Sequence, residues 1–405
     1  MINIAVLGYG TIGSGVVEVL NTNGESIKKR AGDQINIKYV LDLREFPGDP
    51  IMDKLVHDIN IILEDTEVSI VCEVMGGVEP AYTFVKSALL KGKSVVTSNK
   101  ELVAKHGAEL LDIAKERNLN FLFEASVGGG IPIIRPLNQS LTADEIVEIT
   151  GILNGTTNYI LSKMSDDNLD FETALENAQK LGYAERNPAA DVEGHDACRK
   201  IAILSSLAFG MQVDYEDIYT EGISKITYTD ICYAKSMGAR IKLFASSIRE
   251  NDRVYAMVAP VMIKVNHPLY SVNDVFNGIF VRGNVIGDVM FYGSGAGKLP
   301  TASAVVADIV DAAKHTGKNI WTIWSSRKLE LTDINQVHHK FFIRVEDNLA
   351  DIKDKIKNLF GEIEEVTTEN VTGEYAFITS SITEQELKEK LEKYGSVLSA
   401  IRVRF

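Results

Sequence analysis

The stretch INIAVLGYGTIG, residues 2–13, decides the fold. A short apolar run, typical of one buried strand, leads into the glycine pattern formed by Gly8, Gly10 and Gly13. Between a strand and a helix, the first glycine allows a tight turn, the second lets a pyrophosphate approach the backbone, and the third lets helix and strand pack closely. The helix N-terminus adds amide donors for the phosphate. The stretch therefore predicts a dinucleotide site, with an ordinary glycine turn as the alternative.

The residues that follow keep alternating between apolar strands and helices. Strands are predicted at 2–8, 35–42, 67–76, 93–100 and 119–127. Helices are predicted at 14–30, 80–91 and 101–117. Near-continuous apolar strands that alternate with helices favour a parallel sheet covered on both faces. We predict an α/β fold, with a Rossmann-type doubly wound sheet over residues 1–135 that residues 296–325 complete.

The regular alternation of strands and helices stops in the middle of the chain. Residues 136–295 combine helices with a few strands, which predicts an α+β domain. Residues 339–405 read as β-α-β-β-α-β, the order of a ferredoxin-like fold.

Composition narrows the classes of protein and partner. The 405 residues carry a formal net charge of −14, which disfavours nucleic acid and anionic membranes as partners. Three cysteines without CxxC spacing argue against a disulfide framework or a structural zinc site, and they fit a reducing cytoplasm. The first residues lack the basic segment of a secretory signal.

Two charged residues at the end of the second predicted strand give conflicting signals on the cofactor. Asp42 is placed to bind the ribose hydroxyls of NAD, whereas Arg44 is placed to meet the 2′-phosphate of NADP. Either one is also explained as a solvated loop charge. The choice between NAD and NADP therefore stays open.

Two further segments carry candidate ligand contacts. Lys100 in TSNK follows a predicted strand, where a lysine either steadies a substrate anion or snorkels to the surface. The loop GSGAGK (293–298) lacks both the spacing and the Ser or Thr of a Walker A motif, because Leu299 follows Lys298. Two interpretations of this loop remain: its backbone closely approaches a ligand, or it is a structural turn.

The segment DVEGHDACRK (191–200) is consistent with a metal nest, a proton-transfer site or a solvated helix face. On a helix, Asp196 and Lys200 share one face, while His195 and Arg199 form a separate pair. One histidine without HExxH disfavours zinc. The following turn is apolar, so the helix is expected to be buried, and a carboxylate-held lysine suits proton donation to an oxygen.

Several longer motifs resemble one family. GYGTIG, TSNKELVAKHG, EASVGGGIPII, GILNGTTNYIL, LGYAERNPAADVEGHDACRKIAIL and YGSGAGKLPTASAVVADI, in unbroken order over residues 1–325, resemble homoserine dehydrogenases. The resemblance implies NAD(P)-dependent interconversion of L-aspartate 4-semialdehyde and L-homoserine, a step toward threonine and methionine. It also implies a homo-oligomer, a dimer or larger, and it assigns substrate binding, catalysis and dimerisation to residues 136–295.

The resemblance assigns roles by motif. It implies Lys200 as the acid/base, with Lys100 and Asp196 beside it. Substrate-binding residues are implied at Glu185, Asp191, Lys100 and Thr156. Cofactor-binding residues are expected at Gly8, Gly10, Thr11, Ile12, Gly13, Asp42, Arg44, Gly76, Lys100 and Gly297. A monovalent cation, Na⁺ or K⁺, is implied at the Glu124 carboxylate and the backbone carbonyls of Val127, Gly129 and Ile131.

The C-terminal segment resembles an ACT-type regulatory domain, which in this family often senses threonine. VEDNLADI (345–352) stands where such domains usually carry a Pro-Gly turn, so a packing module without an effector is the alternative. Two rival functions remain: another semialdehyde or hydroxy-acid dehydrogenase, and a catalytically silent NAD(P)-sensing regulator. The lysines and carboxylates at 100, 185, 191, 196 and 200 argue against a catalytically silent regulator.

Overall fold

The computed structural model describes residues 1–346, 352–369 and 371–405. The chain forms two compact units. The first unit comprises residues 1–145, 202–215 and 293–329, and the second comprises residues 146–201, 216–292 and 330–405. No helix within the described ranges is long and apolar enough to cross a membrane.

The described residues form strands and short helices throughout. The strands are β1 (Ile2–Leu7), β2 (Ile35–Leu41), β3 (Leu55–Val56), β4 (Val68–Glu73), β5 (Ser94–Thr97), β6 (Phe121–Leu122), β7 (Ile146–Ile152), β8 (Met211–Gln212), β9 (Tyr219–Thr220), β10 (Ala239–Glu250), β11 (Arg253–Lys264), β12 (Phe276–Gly283), β13 (Gly287–Ser294), β14 (Ser325–Lys328), β15 (His338–Glu346), β16 (Ile363–Val366), β17 (Glu374–Thr379), β18 (Ile382–Thr383) and β19 (Val397–Arg404). The helices are α1 (Thr11–Thr22), α2 (Gly24–Ala31), α3 (Ile59–Glu64), α4 (Ala81–Leu90), α5 (Lys100–Glu116), α6 (Gly155–Asp166), α7 (Phe171–Lys180), α8 (Ala189–Val192), α9 (His195–Phe209), α10 (Tyr228–Ser236), α11 (Lys298–Lys314), α12 (Ile352–Phe360) and α13 (Glu384–Tyr394).

The first unit is built on a parallel sheet with the order β3-β2-β1-β4-β5-β6. Its core packs Ile4 and Val6 of β1 with Val16 of α1 and with Val305 and Ile309 of α11. This burial explains why the strands are almost continuously apolar, as expected when both faces of a parallel sheet are covered. The Rossmann-type prediction is confirmed.

Three local predictions in this unit are corrected. The helix predicted at 14–30 is two helices, because the backbone of Asn23 leaves the helical region before Gly24. The strand predicted at 119–127 is only β6, and a 3-10 turn over Glu124–Ser126 follows it. Lys100 is the first residue of α5 rather than the end of a strand, since Asn99 caps that helix.

The second unit is built on a mixed sheet with the order β13-β12-β7-β10-β11-β19-β15-β17-β16. Among these strands, β12 and most of β13 had no assignment in the sequence-based prediction, which treated residues 293–298 as a loop. Side chains of β13 alternate between half-buried and exposed.

The C-terminal segment has the predicted β-α-β-β-α-β order, formed by β15, α12, β16, β17, α13 and β19. We call residues 338–405 the C-terminal module. Its helices pack on an apolar face that includes Phe341, Ile343 and Phe377. Most of the VEDNLADI turn lies outside the described residues. The module shares a sheet with the rest of the unit, because β19 pairs in parallel with β11.

Candidate active site

The glycine turn after β1 has the shape that a pyrophosphate site requires. A Cβ atom at Gly13 would lie 1.9 Å from the carbonyl oxygen of Gly8, so only glycine permits this helix-to-strand contact. α1 begins at Thr11, which Ile12 follows, and Gly10 caps the helix without a side-chain hydrogen bond. The first turn of α1 thus has no side-chain cap, which fits a bound phosphate.

Asp42 and Arg44 form a tight pair at the end of β2. The Arg44 guanidinium donates to both carboxylate oxygens of Asp42, with Nε–Oδ1 at 3.0 Å and Nη2–Oδ2 at 2.9 Å. The amide of Tyr9 donates to the same carboxylate at 2.8 Å. Hydrogen bonds from Arg44 hold the pKa of Asp42 well below its usual range. The pair therefore brings both signs of charge to the glycine turn.

A buried carboxylate joins the loops that follow β4 and β5. Glu73 accepts from the amide of Met75 at 2.8 Å and from the hydroxyl of Thr97 at 2.6 Å. It also reaches the amide of Gly76, at 3.4 Å. Burial raises the pKa of Glu73. The sequence reading missed Glu73, because an acid at the end of an apolar strand gives no signal of its own.

The same network places Lys100. The hydroxyl of Thr97 accepts from the amide of Asn99 at 2.9 Å, and the Asn99 side chain accepts from the amide of Leu102 at 3.1 Å. The Asn99 amide group also donates to the carbonyl of Gly77 at 2.5 Å. Half-buried Lys100 directly follows Asn99, whose backbone and side chain are both hydrogen-bonded. The backbone position of Lys100 is therefore fixed by the network of Glu73, Thr97 and Asn99.

The two glycine-rich loops of the first unit meet each other. The amide of Gly130 in SVGGG donates to the carbonyl of Ser294 in GSGAG at 3.0 Å. Gly297 then caps the N-terminus of α11. The GSGAGK loop is therefore anchored to its neighbour, as a loop in close contact with a ligand requires.

The Glu124 carboxylate, a predicted cation ligand, is held by backbone donors. It accepts three backbone N–H groups, from Ile133 and Ile134 at 2.6 and 2.8 Å and from Arg135 at 2.8 Å. Amide donors that surround a carboxylate stabilise its charge as a structural anchor and compete with a cation for the same lone pairs. Cation binding by Glu124 and by the carbonyls of Val127, Gly129 and Ile131 stays a prediction.

The second unit holds a buried polar cluster. Lys200 Nζ donates to Asp196 Oδ2 at 2.7 Å and to the carbonyl of Leu153 at 2.9 Å. The Asn154 amide group donates to Asp191 Oδ1 at 2.7 Å and to Asp196 Oδ2 at 2.9 Å. We call Asn154, Asp191, Asp196 and Lys200 the substrate cluster. It brings together the predicted acid/base Lys200, its predicted neighbour Asp196 and the predicted substrate-binding Asp191.

Local sequence explains this geometry. α9 begins at His195, so Asp196 and Lys200 are one helical turn apart and face the same side. β7 ends at Ile152, and Asn154 then caps α6 by accepting from the amide of Thr157 at 2.9 Å. The cap fixes the Asn154 side chain, which leaves its amide group to bridge the two carboxylates.

The predicted substrate-binding residues Thr156 and Glu185 are not among the contacts that define this cluster. The Thr156 hydroxyl donates to the carbonyl of Tyr183 at 2.6 Å and so fixes the loop that carries Glu185. Glu185 itself is exposed. His195 is also exposed, in keeping with its predicted lack of a role. Within the described ranges, no group of three His, Cys, Asp or Glu side chains is arranged to hold a metal ion.

Comparisons with known proteins identify the family. Residues 132–310 match the model for homoserine dehydrogenase, and residues 8–124 match the model for the homoserine dehydrogenase NAD-binding domain. The chain is 43% identical to the homoserine dehydrogenase of Bacillus subtilis over 317 residues, which is 78% of this chain and 73% of that protein. The chain belongs to the homoserine dehydrogenase family.

Solved homoserine dehydrogenase structures show the same fold. The crystal structure of a homoserine dehydrogenase from Thiobacillus denitrificans has a TM-score of 0.92 at 34% identity and covers 100% of this chain and 98% of that one. A hyperthermophilic archaeal homoserine dehydrogenase in complex with NADPH has a TM-score of 0.66 at 30% identity, over 77% of this chain and 97% of that one. Homoserine dehydrogenases are NAD(P)-dependent oxidoreductases, and this chain is one of them.

Proposed function

We propose that the chain interconverts L-aspartate 4-semialdehyde and L-homoserine with Lys200 as the acid/base, a step toward threonine and methionine. The observation that carries this assignment is the buried substrate cluster, in which one ammonium group is held by a carboxylate and a carbonyl. A silent regulator would have no need for a lysine held in this way.

The chemistry of the step explains the composition of the cluster. Bound NAD(P) supplies or accepts the hydride. During reduction, negative charge develops on the aldehyde oxygen, and a preorganised ammonium stabilises it. Within the described residues, Lys200 Nζ uses two of its three N–H groups on Asp196 and Leu153. The third is left to donate to the substrate oxygen, and the proton moves from Nζ to that oxygen.

The carboxylates suit the amino group of the substrate. Asp191 is half-buried and held by Asn154, so it offers a fixed negative charge to an ammonium ion. Exposed Glu185, on the loop fixed by Thr156, is the second carboxylate that we propose for the amino group. Lys100 is the proposed contact with both cofactor and substrate in the first unit.

Initial rates of homoserine oxidation, read at the NAD(P)H absorbance band, test this function. We expect turnover with NAD⁺ or NADP⁺ that requires homoserine. Parallel reactions with Na⁺ or K⁺, and with threonine, test the predicted cation and effector. Reduction of the cofactor by another hydroxy acid, with no reaction of homoserine, would favour the rival dehydrogenase, and no reduction at all would favour a regulator.

We propose that Arg44 gives a preference for NADP. Its side chain is 62% exposed and stacks over the Phe46 ring at 5.3 Å, so the guanidinium is available beside the glycine turn. We expect Arg44→Ala to weaken NADPH binding about tenfold or more, the loss typical of a charge-assisted hydrogen bond. NADH binding should change less than about twofold, since NADH lacks the 2′-phosphate.

Fluorescence titration of both reduced cofactors measures this difference. Lys38→Ala is a suitable control, because Lys38 lies on the same strand, β2, but pairs with Asp65 and Glu67. Equal losses for NADH and NADPH in Arg44→Ala would contradict the proposed contact.

We also propose a cytoplasmic enzyme that acts as a homo-oligomer. The location is supported by Cys72, Cys198 and Cys232, all of which are free thiols. Sedimentation of the purified protein measures the oligomeric state.

A further inference from the structure

One arginine of the C-terminal module contacts the segment on which the substrate cluster rests. Arg402 lies on β19, where it is level with Val261 of β11. It is 5% exposed and pairs with Glu384 at the start of α13, with Nε–Oε1 at 2.6 Å and Nη2–Oε2 at 3.0 Å. Its remaining nitrogen, Nη1, donates to Glu221 Oε2 at 2.7 Å. The guanidinium therefore joins the module to a residue outside it.

Arg402 also fixes the residues on either side of that contact. Its Cζ lies 5.0 Å from the centre of the Tyr219 ring, and the Tyr219 hydroxyl donates to Glu221 Oε2 at 3.1 Å. The amide of Glu221 donates to the carbonyl of Val258 in β11 at 2.8 Å. We call residues 219–223 the bracing segment. Its position is set jointly by β11 and by Arg402.

The bracing segment lies directly against the turn that carries Asp191. A Cβ atom at Gly222 would lie 2.2 Å from the carbonyl oxygen of Val192, a distance that only glycine allows. The amide of Ile223 donates to that same carbonyl at 2.8 Å. On the other side, the Thr220 side chain hydrogen-bonds the thiol of Cys198 in α9. A shift of the segment would therefore move both Asp191 and the helix that carries Lys200.

We propose that Arg402 is a positioning residue for substrate binding, which acts through Glu221 and the bracing segment on the turn before α9. The C-terminal module thus contributes to the affinity for substrate even when no effector is present. The inference rests on the proposed roles of Asp191 and Asp196. Arg402 would thus join the residues that position Asp191 and Asp196 to bind the amino group of the substrate.

A second buried arginine of the module provides a matched comparison. Arg344 on β15 pairs with Asp230 of α10 at 2.6 Å and with Glu374 of β17 at 2.8 Å. Removing Glu374 leaves Arg344 with Asp230, and removing Glu221 leaves Arg402 with Glu384. Glu374 accepts two hydrogen bonds from its arginine and Glu221 accepts one, so Glu374→Ala is the more severe loss of the two. Glu374 and Glu221 are similar in exposure, at 18% and 31% for their side chains, but only Glu221 belongs to the bracing segment.

The test compares Glu221→Ala, Glu221→Gln and Glu374→Ala in the full chain. We expect Glu221→Ala to raise the KM for homoserine about tenfold, the size expected when a charge-assisted contact is lost. The KM for the cofactor should stay within about twofold, because the cofactor-binding residues belong to the first unit. Glu221→Gln should lie near wild type, since its amide oxygen still accepts from Arg402. Glu374→Ala should bind homoserine as wild type does, with a fall in Tm at least as large.

Hydrogen exchange supplies a reading that needs no activity. We expect the amide of Ile223 and the residues of α8 to exchange faster in Glu221→Ala and at the wild-type rate in Glu374→Ala. An unchanged KM for homoserine in Glu221→Ala, or an equal rise in Glu374→Ala, would overturn the inference. Failure of the wild-type protein to oxidise homoserine would instead refute the proposed function, and the exchange data would still decide whether Arg402 braces the turn.

Discussion

Lys200→Ala is expected to reduce kcat by about a thousandfold, the size typical of losing a positioned acid/base. In the proposed mechanism, the ammonium stabilises the developing oxyanion and supplies the proton, and no other lysine belongs to the substrate cluster as defined by its contacts. The dissociation constant for NADPH should stay close to that of wild type, since the cofactor-binding residues lie in the other unit. Steady-state rates and a fluorescence titration measure the two quantities.

Lys180→Ala is the matched control for this variant. Lys180 also pairs with a carboxylate one helical turn away, Glu176, but at 3.5 Å and with 71% of its side chain exposed. Such a surface pair contributes only a few tenths of a kcal/mol. We therefore expect no change in rate. Thermal unfolding shows whether Lys200→Ala is folded, and a folded variant with a kcat within tenfold of wild type would rule out the proposed acid/base.

Asn154→Asp is expected to lower kcat/KM for homoserine by about a hundredfold near neutral pH, because like charges in one site oppose each other. The change replaces the amide group that donates to Asp191 and Asp196 with a third carboxylate. Aspartate is as good a helix cap as asparagine, so α6 keeps its N-terminal hydrogen bond to the amide of Thr157. The loss is therefore expected to come from the substrate cluster rather than from the fold.

The pH dependence of Asn154→Asp gives a sharper check. Three adjacent carboxylates favour uptake of a proton, so lowering the pH should restore part of the activity relative to wild type. Asn154→Ser keeps a capping oxygen but adds no charge, and we expect its loss to be smaller and independent of pH. If Asn154→Asp and Asn154→Ser lose the same activity at every pH, charge repulsion is not the cause.

Local features of the sequence account for much of the first unit. The apolar run before Gly8, the glycine spacing and the spacing of Asp196 and Lys200 all act within one strand or one helical turn, so they are readable without the fold. The break between α1 and α2 was missed, because the polar residues around Asn23 suit a helix surface as well as a helix end.

The sequence alone does not show which residues pair with the buried polar groups. Glu73 is hydrogen-bonded by Thr97 on a neighbouring strand. Asn154 donates to Asp191, which follows it by more than a helix and a loop. The backbone donors to Glu124 were not predicted either, since the amides that contact its carboxylate come from a separate turn of the chain. Such contacts depend on tertiary packing, which composition and periodicity do not encode.

The pairing of β19 with β11 has a consequence for dissecting the molecule. Val261, Met262 and Ile263 of β11 take their neighbours from β19. A protein shortened before residue 338 would present this stretch as an open, apolar strand edge, and such edges recruit strands from other molecules. Deleting the C-terminal module is therefore expected to give aggregation rather than an unregulated enzyme, so point substitutions are the sounder way to separate regulation from catalysis.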